Sequence, residues 1–195
     1  MNLLTRIDDH LQAALEVHRA ASVLREPLQR AGQLLYGCLR EGGKILSCGN
    51  GGSAADAQHF AAELVNRFEV ERRGLAAIAL TTDTSILTSI ANDYAYERVF
   101  ARQIEAIGRP ADVLLAISTS GHSPNVVTAV EVARAQGMRV VALTGRDGGP
   151  LAARLGADDV ELRAPSQHTP RIQEIHLLAI HCLCDAIDQL VLEEA

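Results

Sequence analysis

Five short runs of β-branched or other apolar residues recur along the chain. They span residues 44–49, 75–82, 112–118, 139–145 and 158–164. Segments with helical periodicity, such as 54–68 and 123–137, lie between most of these runs. This alternation is typical of parallel strands joined by crossover helices. The sequence therefore predicts an α/β three-layer sandwich in which helices flank a five-stranded parallel sheet.

The two ends of the chain are predicted to be helical without strands. Residues 1–42 form an N-terminal helical region, residues 43–165 form the α/β core, and residues 168–193 form a long C-terminal helix opened by Pro170. No internal linker separates these parts, so residues 1–195 are expected to form a single domain.

The predicted C-terminal helix is apolar on most of its sides. Its apolar positions are Ile172, Ile175, Leu177, Leu178, Ile180, Leu183, Ile187 and Leu190. A helix of this kind has few places to be covered within one small chain. We therefore expect it to pack against another subunit of a homo-oligomer.

Composition places the chain among ordinary globular proteins. It has 195 residues, of which 48% are hydrophobic and 22% charged, with a formal net charge of -6. The chain is net negative and has no Lys/Arg-rich run that could bind a nucleic-acid backbone, so no nucleic-acid partner is expected. A small anionic ligand held by a local site is compatible with this charge.

The chain is also expected to be cytosolic. Its N-terminus carries early acidic residues in an amphipathic helical pattern, unlike a secretion signal. Its apolar stretches are interpreted as far short of the roughly 20 residues that span a bilayer, so no membrane partner is expected. The four cysteines, Cys38, Cys48, Cys182 and Cys184, are predicted to be reduced and buried.

Two small-residue loops follow predicted strands and lead into predicted helices. The first contains Gly49, Asn50, Gly51, Gly52 and Ser53, with Ser53 at the expected N-cap of the helix. The second contains Ser118, Thr119, Ser120, Gly121 and Ser123. Helix N-termini with exposed amides and hydroxyls favour anions, and loops after parallel strands gather at one sheet edge. Serine capping and glycine turning would explain either loop alone, but the two together predict a phosphate site.

Two other nucleotide-type loops are not favoured. Gly49, Gly51 and Ala54 match one form of the dinucleotide fingerprint, but the acid after the second strand is Asp83, well beyond the usual spacing. No G-K-[ST] triplet occurs, which excludes the loop of nucleoside triphosphatases.

His59 and Glu63 are four residues apart on the helix that follows the first loop. They therefore project from one face and can approach a single ion or substrate, although a surface ion pair explains most pairs of this spacing. Imidazole with carboxylate suits zinc or a similar metal.

The C-terminal helix adds polar groups in an apolar setting, Gln173, Glu174, His176 and His181. Glu174 and His176 are interpreted as structural. Gln173 and His181 are separated by about 12 Å along a helix axis, so a shared ion would need a distorted helix start or two subunits.

Five segments over almost the whole chain are distinctive in combination: CGNGGSAADAQHFAAEL, LTSIANDY, AISTSGHSPNV, ALTGRDGG and RIQEIHLLAIH. Together they resemble the phosphoheptose isomerases, of the sugar isomerase (SIS) domain class. The resemblance implies the SIS fold, a homotetramer with active sites at subunit interfaces, and an aldose-ketose isomerase. Its reaction interconverts sedoheptulose 7-phosphate and D-glycero-D-manno-heptose 7-phosphate, toward the heptose of lipopolysaccharide or surface glycans.

The same resemblance implies roles for individual residues. One Zn²⁺ per site would be held by His59, Glu63, Gln173 and His181, and Glu63 with His181 would be the catalytic acid/base pair. The implied substrate contacts are Asn50, Gly51, Gly52, Ser53, Glu63, Asn92, Asp93, Ser118, Thr119, Ser120, Ser123 and Gln173. Pro170 departs from members that carry an Asp there, so any role of that Asp must be absent or filled by another group.

A non-enzymatic group of SIS-domain proteins, which binds the bacterial replication initiator, is the alternative. The segments NRFEVER and HCLCDAID resemble that group. Its members lack the residues equivalent to Glu63 and His181, without which proton transfer fails. Because both residues are present here, the sequence favours the enzyme.

Overall fold

The computed structural model describes residues 2–194 and contains one five-stranded sheet. The strands are β1 (Ile45–Gly49), β2 (Ala77–Ala79), β3 (Val113–Ile117), β4 (Arg139–Thr144) and β5 (Val160–Arg163). Their order is β2-β1-β3-β4-β5, and all four pairings are parallel. All five predicted strands are confirmed. β2 is shorter than the apolar run that predicted it, because it lies at a sheet edge and is only partly buried.

Helices flank the sheet, and the chain begins and ends in helices. They are α1 (Leu3–Ala20), α2 (Arg25–Arg40), α3 (Gly52–Val65), α4 (Thr84–Asp93), α5 (Ala101–Ile107), α6 (Pro124–Ala135), α7 (Gly149–Ala152) and α8 (Thr169–Glu193). Short 3₁₀ turns occupy Ala21–Leu24, between α1 and α2, and Tyr96–Arg98, between α4 and α5.

Alternate residues of the central strands face two separate hydrophobic layers. Ile45 of β1 lies in the layer formed with α2, α3 and α8, whereas its neighbour Leu46 lies in the layer formed with α5 and α6. β1 and β3 are buried throughout, as expected for parallel strands covered on both faces. The predicted three-layer α/β sandwich is confirmed.

α8 is covered mainly by its own chain, through α2 and α3. Nine of its residues are buried, whereas Leu177 and Leu178 remain 39% and 37% exposed. The expectation that one chain offers this helix few places to be covered is therefore wrong for these nine residues, whereas its packing against another subunit stays a prediction. By length and composition α8 could also cross a membrane, which corrects the expectation that every apolar stretch is far too short. Because 44% of its most apolar window is buried, we interpret α8 as a core helix; core helices can have the same length and apolar composition as membrane-spanning ones.

The cysteines are free thiols, but one of the four expected positions is wrong. Cys38, Cys48 and Cys184 are buried, whereas Cys182 is exposed. Residues two apart on a helix point in nearly opposite directions, so the C-x-C pair sends only one thiol into the core.

Candidate functional site

The strand order reverses between β1 and β3, and the two predicted phosphate loops follow these neighbouring strands. Crevices at such reversals are the usual ligand sites of open parallel sheets. Asn50 in the first loop and Asn125 at the start of α6 exchange two amide hydrogen bonds of 2.8 Å. Tyr96 also donates its hydroxyl to Asn50 Oδ1 at 3.2 Å. These bonds fix the two loops side by side.

The first loop turns sharply at glycine, and α3 begins two residues earlier than predicted. Gly51, with φ of 56°, is the N-cap, so the expectation that Ser53 caps the helix is wrong. Ser53 is the second helical residue and is buried. A Cβ on Gly49 would lie 2.6 Å from the carbonyl oxygen of Ser53, so the tight approach of loop to helix requires glycine.

The second loop turns its hydroxyls toward one another and toward its own backbone. Ser118 and Ser123 share a hydrogen bond of 2.9 Å between their hydroxyls, and Ser120 Oγ accepts from the amide of His122 at 3.2 Å. His122 Nδ1 donates to the carbonyl of Ser120 at 2.7 Å. Within the described chain no side chain caps α6. Its first residue, Pro124, has no amide hydrogen, and the amides of Val126 and Val127 donate to the carbonyl of Ser123.

Gln173 and His181 both lie along α3, but at different levels. A Cβ added to Gly52 would strike the amide of Gln173, so that side chain lies against the start of α3. His181 contacts His59, seven residues further along α3. Because the matching contacts on α8 are eight residues apart, the two helices run side by side in the same direction.

Three of the four predicted metal ligands, His59, Glu63 and His181, form a polar cluster, and Gln173 lies outside it. The Nε2 atoms of His59 and His181 are 3.1 Å apart, and His59 Nε2 is 3.5 Å from Glu63 Oε1. The two imidazole rings meet edge to face, with centroids 5.3 Å apart. Phe68, which sequence reasoning missed, stacks on the ring of His181 with centroids 5.6 Å apart. The cluster is partly buried, with the side chains of His59 and Glu63 39% and 24% exposed.

The chemistry of this cluster suits zinc. Two imidazoles and one carboxylate form a known catalytic zinc donor set, and two nitrogens bound to tetrahedral zinc lie roughly 3.3 Å apart. The nitrogens of His59 and His181 have nearly this spacing. As the side chains stand, however, no group of three or more His, Cys, Asp and Glu residues within residues 2–194 is arranged to hold a metal ion, so zinc binding would require a shift in this cluster. No hydrogen bond in the same residues joins Gln173 to the histidines, which agrees with the separation expected along α8.

Asp56 is a further acidic group near the cluster that sequence reasoning did not identify. It lies three residues before His59 on α3, and its Oδ2 is buried with no hydrogen-bond partner among residues 2–194. Burial raises the pKa of the Asp56 carboxyl above its usual value, and the smaller effect of the nearby His59 opposes this shift only in part. Its spacing from His59, i to i+3 on one helix face, is the signal that could have revealed it.

Asn92 and Asp93 end α4 in exposed positions. Asn92 donates to Asp93 at 2.8 Å, and neither is hydrogen-bonded to the phosphate loops in the described part of the chain. Tyr96, three residues after Asp93, makes the contact with Asn50 instead. Within one chain, therefore, Tyr96 contacts the first loop, whereas the predicted substrate residues Asn92 and Asp93 do not form a hydrogen bond to it.

His176 and Glu174, interpreted from the sequence as structural, each make one hydrogen bond, while His176 Nδ1 and Glu174 Oε2 are buried without a partner among residues 2–194. His176 is buried and donates from Nε2 to the carbonyl of Thr144 on β4 at 2.8 Å. Burial lowers the pKa of His176 to about 4, against a smaller raising effect of this hydrogen bond. Glu174 accepts from the guanidinium of Arg171, one turn earlier on α8.

Comparison with known proteins places this geometry in one family. Residues 10–145 match the model of the SIS domain. The phosphoheptose isomerase of Thiobacillus denitrificans is 61% identical over 98% of each chain. The solved phosphoheptose isomerase of Francisella tularensis superposes with a TM-score of 0.95 at 44% identity, covering 97% of this chain and 100% of that one. That of Neisseria gonorrhoeae gives 0.92 at 51% identity, covering 96% and 100%.

Proposed function

Because this chain belongs to the phosphoheptose isomerase family of SIS-domain proteins, we propose that it isomerises sedoheptulose 7-phosphate to D-glycero-D-manno-heptose 7-phosphate. The product would serve the heptose of lipopolysaccharide or surface glycans. The observation that carries the proposal is the cluster of His59, Glu63 and His181 beside two phosphate-type loops. An aldose-ketose isomerase needs both features, a proton-transfer pair and an anchor for the phosphate.

Proton transfer is assigned to Glu63 and His181. Glu63 takes a proton from C1 of the open-chain ketose and returns it to C2, through an enediol. His181 moves the accompanying proton between the two oxygens, O2 and O1. His59 lies beside His181, with their Nε2 atoms 3.1 Å apart, and so limits the movement of that imidazole. The substrate is neither oxidised nor reduced overall, so no redox cofactor is required.

The substrate phosphate is assigned to the two loops. Ser53, Ser118, Thr119, Ser120 and Ser123 would surround it, with the N-terminal amides of α3 and α6. A helix N-terminus favours negative charge, which accounts for a phosphate site without a basic patch. The amides of Asn50, Gly51, Gly52 and Gln173 would complete the crevice, and Asn92 and Asp93 would hold sugar hydroxyls.

A zinc ion is proposed to be held by His59, Glu63 and His181. When bound, it would supply Lewis acidity that polarises the carbonyl of the sugar. Gln173 is the fourth ligand implied by the family resemblance. Because it lies beside Gly52, seven residues before His59 on α3, it would reach the zinc ion from a different subunit or after a local shift of α8. If these side chains hold the ion, elemental analysis of the purified protein should find about one zinc per chain.

We also propose a homotetramer in the cytoplasm. α1 exposes an apolar stripe in which Leu4, Leu11 and Leu15 are 69%, 58% and 49% exposed. α4, which carries Asn92 and Asp93, has no buried residue. Apolar surface of this extent on two helices suits contacts between copies of the chain, which would bring the sugar-binding residues to a shared site.

The relatives and solved structures compared above are isomerases, so binding of the replication initiator is not favoured as the function.

Replacing Glu63 by Gln tests the proposed chemistry. The amide keeps the size of the side chain but cannot accept a proton, so turnover is expected to fall by about 10²–10⁴-fold. Binding of the substrate, measured by calorimetry, should change little because the phosphate loops are intact. Glu71→Gln is the matched control, since Glu71 is 91% exposed. If Glu63→Gln turns over at the rate of the control, Glu63 is not the base.

A further inference from the structure

A buried ion pair joins the two helices of the candidate active site at a point away from the substrate crevice. Arg72 Nε donates to Asp188 Oδ1 at 2.7 Å, and the two side chains are only 2% and 1% exposed. Arg72 lies in the segment between α3 and β2, and Asp188 lies on α8. Neither residue is among the predicted site residues.

The rest of the Arg72 guanidinium binds the end of α3. Nη2 donates to the carbonyl of Glu63 at 2.9 Å, and Nη1 donates to the carbonyl of Leu64 at 2.9 Å and of Asn66 at 3.2 Å. The last carbonyls of a helix lack partners within it, and a cation there also meets the negative end of the helix dipole. Arg72 therefore caps the helix that carries His59 and Glu63, at the carbonyl of Glu63 itself.

The other half of the pair lies on the face of α8 that carries His181. Asp188 follows His181 by seven residues, or two helical turns, so both lie on the same face. Cys184 lies between them. Burial is the main cause that raises the pKa of its thiol to about 12; the carboxylates of Glu63 and Asp188 also raise this pKa, and the Arg72 guanidinium lowers it.

We propose that Arg72 is a positioning residue, whose simultaneous bonds to Asp188 and to the carbonyls at the end of α3 set the axial offset between His181 and the His59–Glu63 pair. The proposal rests on the proposed function in so far as it concerns catalysis. A shift of one helix along the other would separate His59 from His181, which are in direct contact. Loss of alignment of this order can reduce turnover by about 10²-fold.

The geometry also predicts that substrate affinity is spared. Arg72 binds the C-terminal end of α3, whereas the phosphate loop lies at its first residue, Gly52, roughly 20 Å away along the axis. A variant of Arg72 is therefore expected to lower kcat with little change of KM. A general loss of folding would instead reduce the concentration of active enzyme and lower the melting temperature in proportion.

The main test variant is Arg72→Lys. Lysine keeps the charge for Asp188 but, as a compact ammonium, cannot also reach the carbonyls of α3 with a planar fork. We expect kcat to fall on the order of 10–100-fold, as for other residues that orient catalytic groups, with KM within about threefold of wild type. Arg67→Lys is the matched control, because Arg67 forms a solvent-exposed pair with Glu71 in the same segment.

The double variant Arg72→Met with Asp188→Leu separates positioning from stability. Replacing a whole buried ion pair by apolar side chains commonly preserves stability, whereas removing one partner leaves an uncompensated charge. The double variant is expected to melt near the wild-type temperature while kcat remains reduced at least about tenfold. If kcat recovers together with the melting temperature, the pair only stabilises the fold and the proposal is overturned.

A position measurement closes the test. With labelled histidine, the wild type should give a nuclear Overhauser cross-peak between the rings of His59 and His181, whose centroids are 5.3 Å apart. The cross-peak should weaken in Arg72→Lys but not in Arg67→Lys. An unchanged cross-peak in Arg72→Lys would contradict the proposal. Because this measurement needs no turnover, a wild-type protein without isomerase activity would refute the proposed function and leave the positioning test standing.

Discussion

The buried imidazole of His176 should make the stability of the protein depend on pH in a defined window. Burial lowers the pKa of His176 to about 4 in the folded chain, whereas an unperturbed histidine has a pKa of 6.5. In the window between these values the unfolded state binds a proton and the folded state does not. The contribution is therefore fully present above pH 6.5, is lost as the pH falls toward 4, and levels off below it.

The size of the effect follows from the two pKa values. Between pH 7.5 and pH 5.0 the linkage relation gives a loss of about 2 kcal/mol in the free energy of unfolding from this residue. The loss approaches about 3 kcal/mol at pH 4. Both values are large fractions of the stability of an ordinary domain. His176→Gln removes the titration while retaining a side-chain amide that can donate to the carbonyl of Thr144.

Urea unfolding followed by circular dichroism at pH 7.5 and pH 5.0, at one protein concentration, measures the effect. The loss of stability between these pH values should be about 2 kcal/mol smaller in His176→Gln than in wild type. His10→Gln is the control, since His10 is exposed on α1, and it should lose as much as wild type. Equal losses in His176→Gln and wild type would refute the assignment of a neutral, buried His176.

Two further substitutions test the packing around the site and at the base of the sheet. Gly52→Ala places a Cβ against the amide of Gln173 and is expected to raise KM severalfold, whereas Gly37→Ala, where the added Cβ meets nothing within 4 Å, should leave KM unchanged. Equal KM values in steady-state assays would show that this contact does not matter for binding. Asp112→Ala removes a buried carboxylate that accepts from two backbone amides and a lysine, and should cost about 3 kcal/mol in urea unfolding. Asp158→Ala, at an exposed position, should cost under about 0.5 kcal/mol, and a similarly small loss for Asp112→Ala would contradict the expected role.

The parts of the fold that depend on local periodicity were predictable from the sequence. The central strands are buried on both faces, so their apolar runs stand out, and the four-residue spacing of His59 and Glu63 placed them on one helix face. The start of α3 was less predictable, because Gly51 with a positive φ takes the N-cap that serine usually occupies.

Features that depend on distant contacts could not be predicted in this way. Arg72 and Asp188 are separated by 116 residues and carry no spacing signal, so only the packing of α3 against α8 brings them together. The exposure of Cys182 follows from which side of α8 faces the core, which composition does not reveal. Likewise, the position of Gln173 beside Gly52 depends on the parallel alignment of two helices distant in the sequence.

Conversion of sedoheptulose 7-phosphate by the purified wild-type protein is the measurement that tests the proposed function most directly. Nuclear magnetic resonance of the reaction mixture resolves the ketose from the aldose product, and fructose 6-phosphate serves as a comparison substrate of the same phosphate chemistry. The proposed function predicts appearance of D-glycero-D-manno-heptose 7-phosphate, with faster turnover of the seven-carbon substrate. No conversion in the presence of added zinc, or equal turnover of both sugars, would contradict the assignment as a phosphoheptose isomerase.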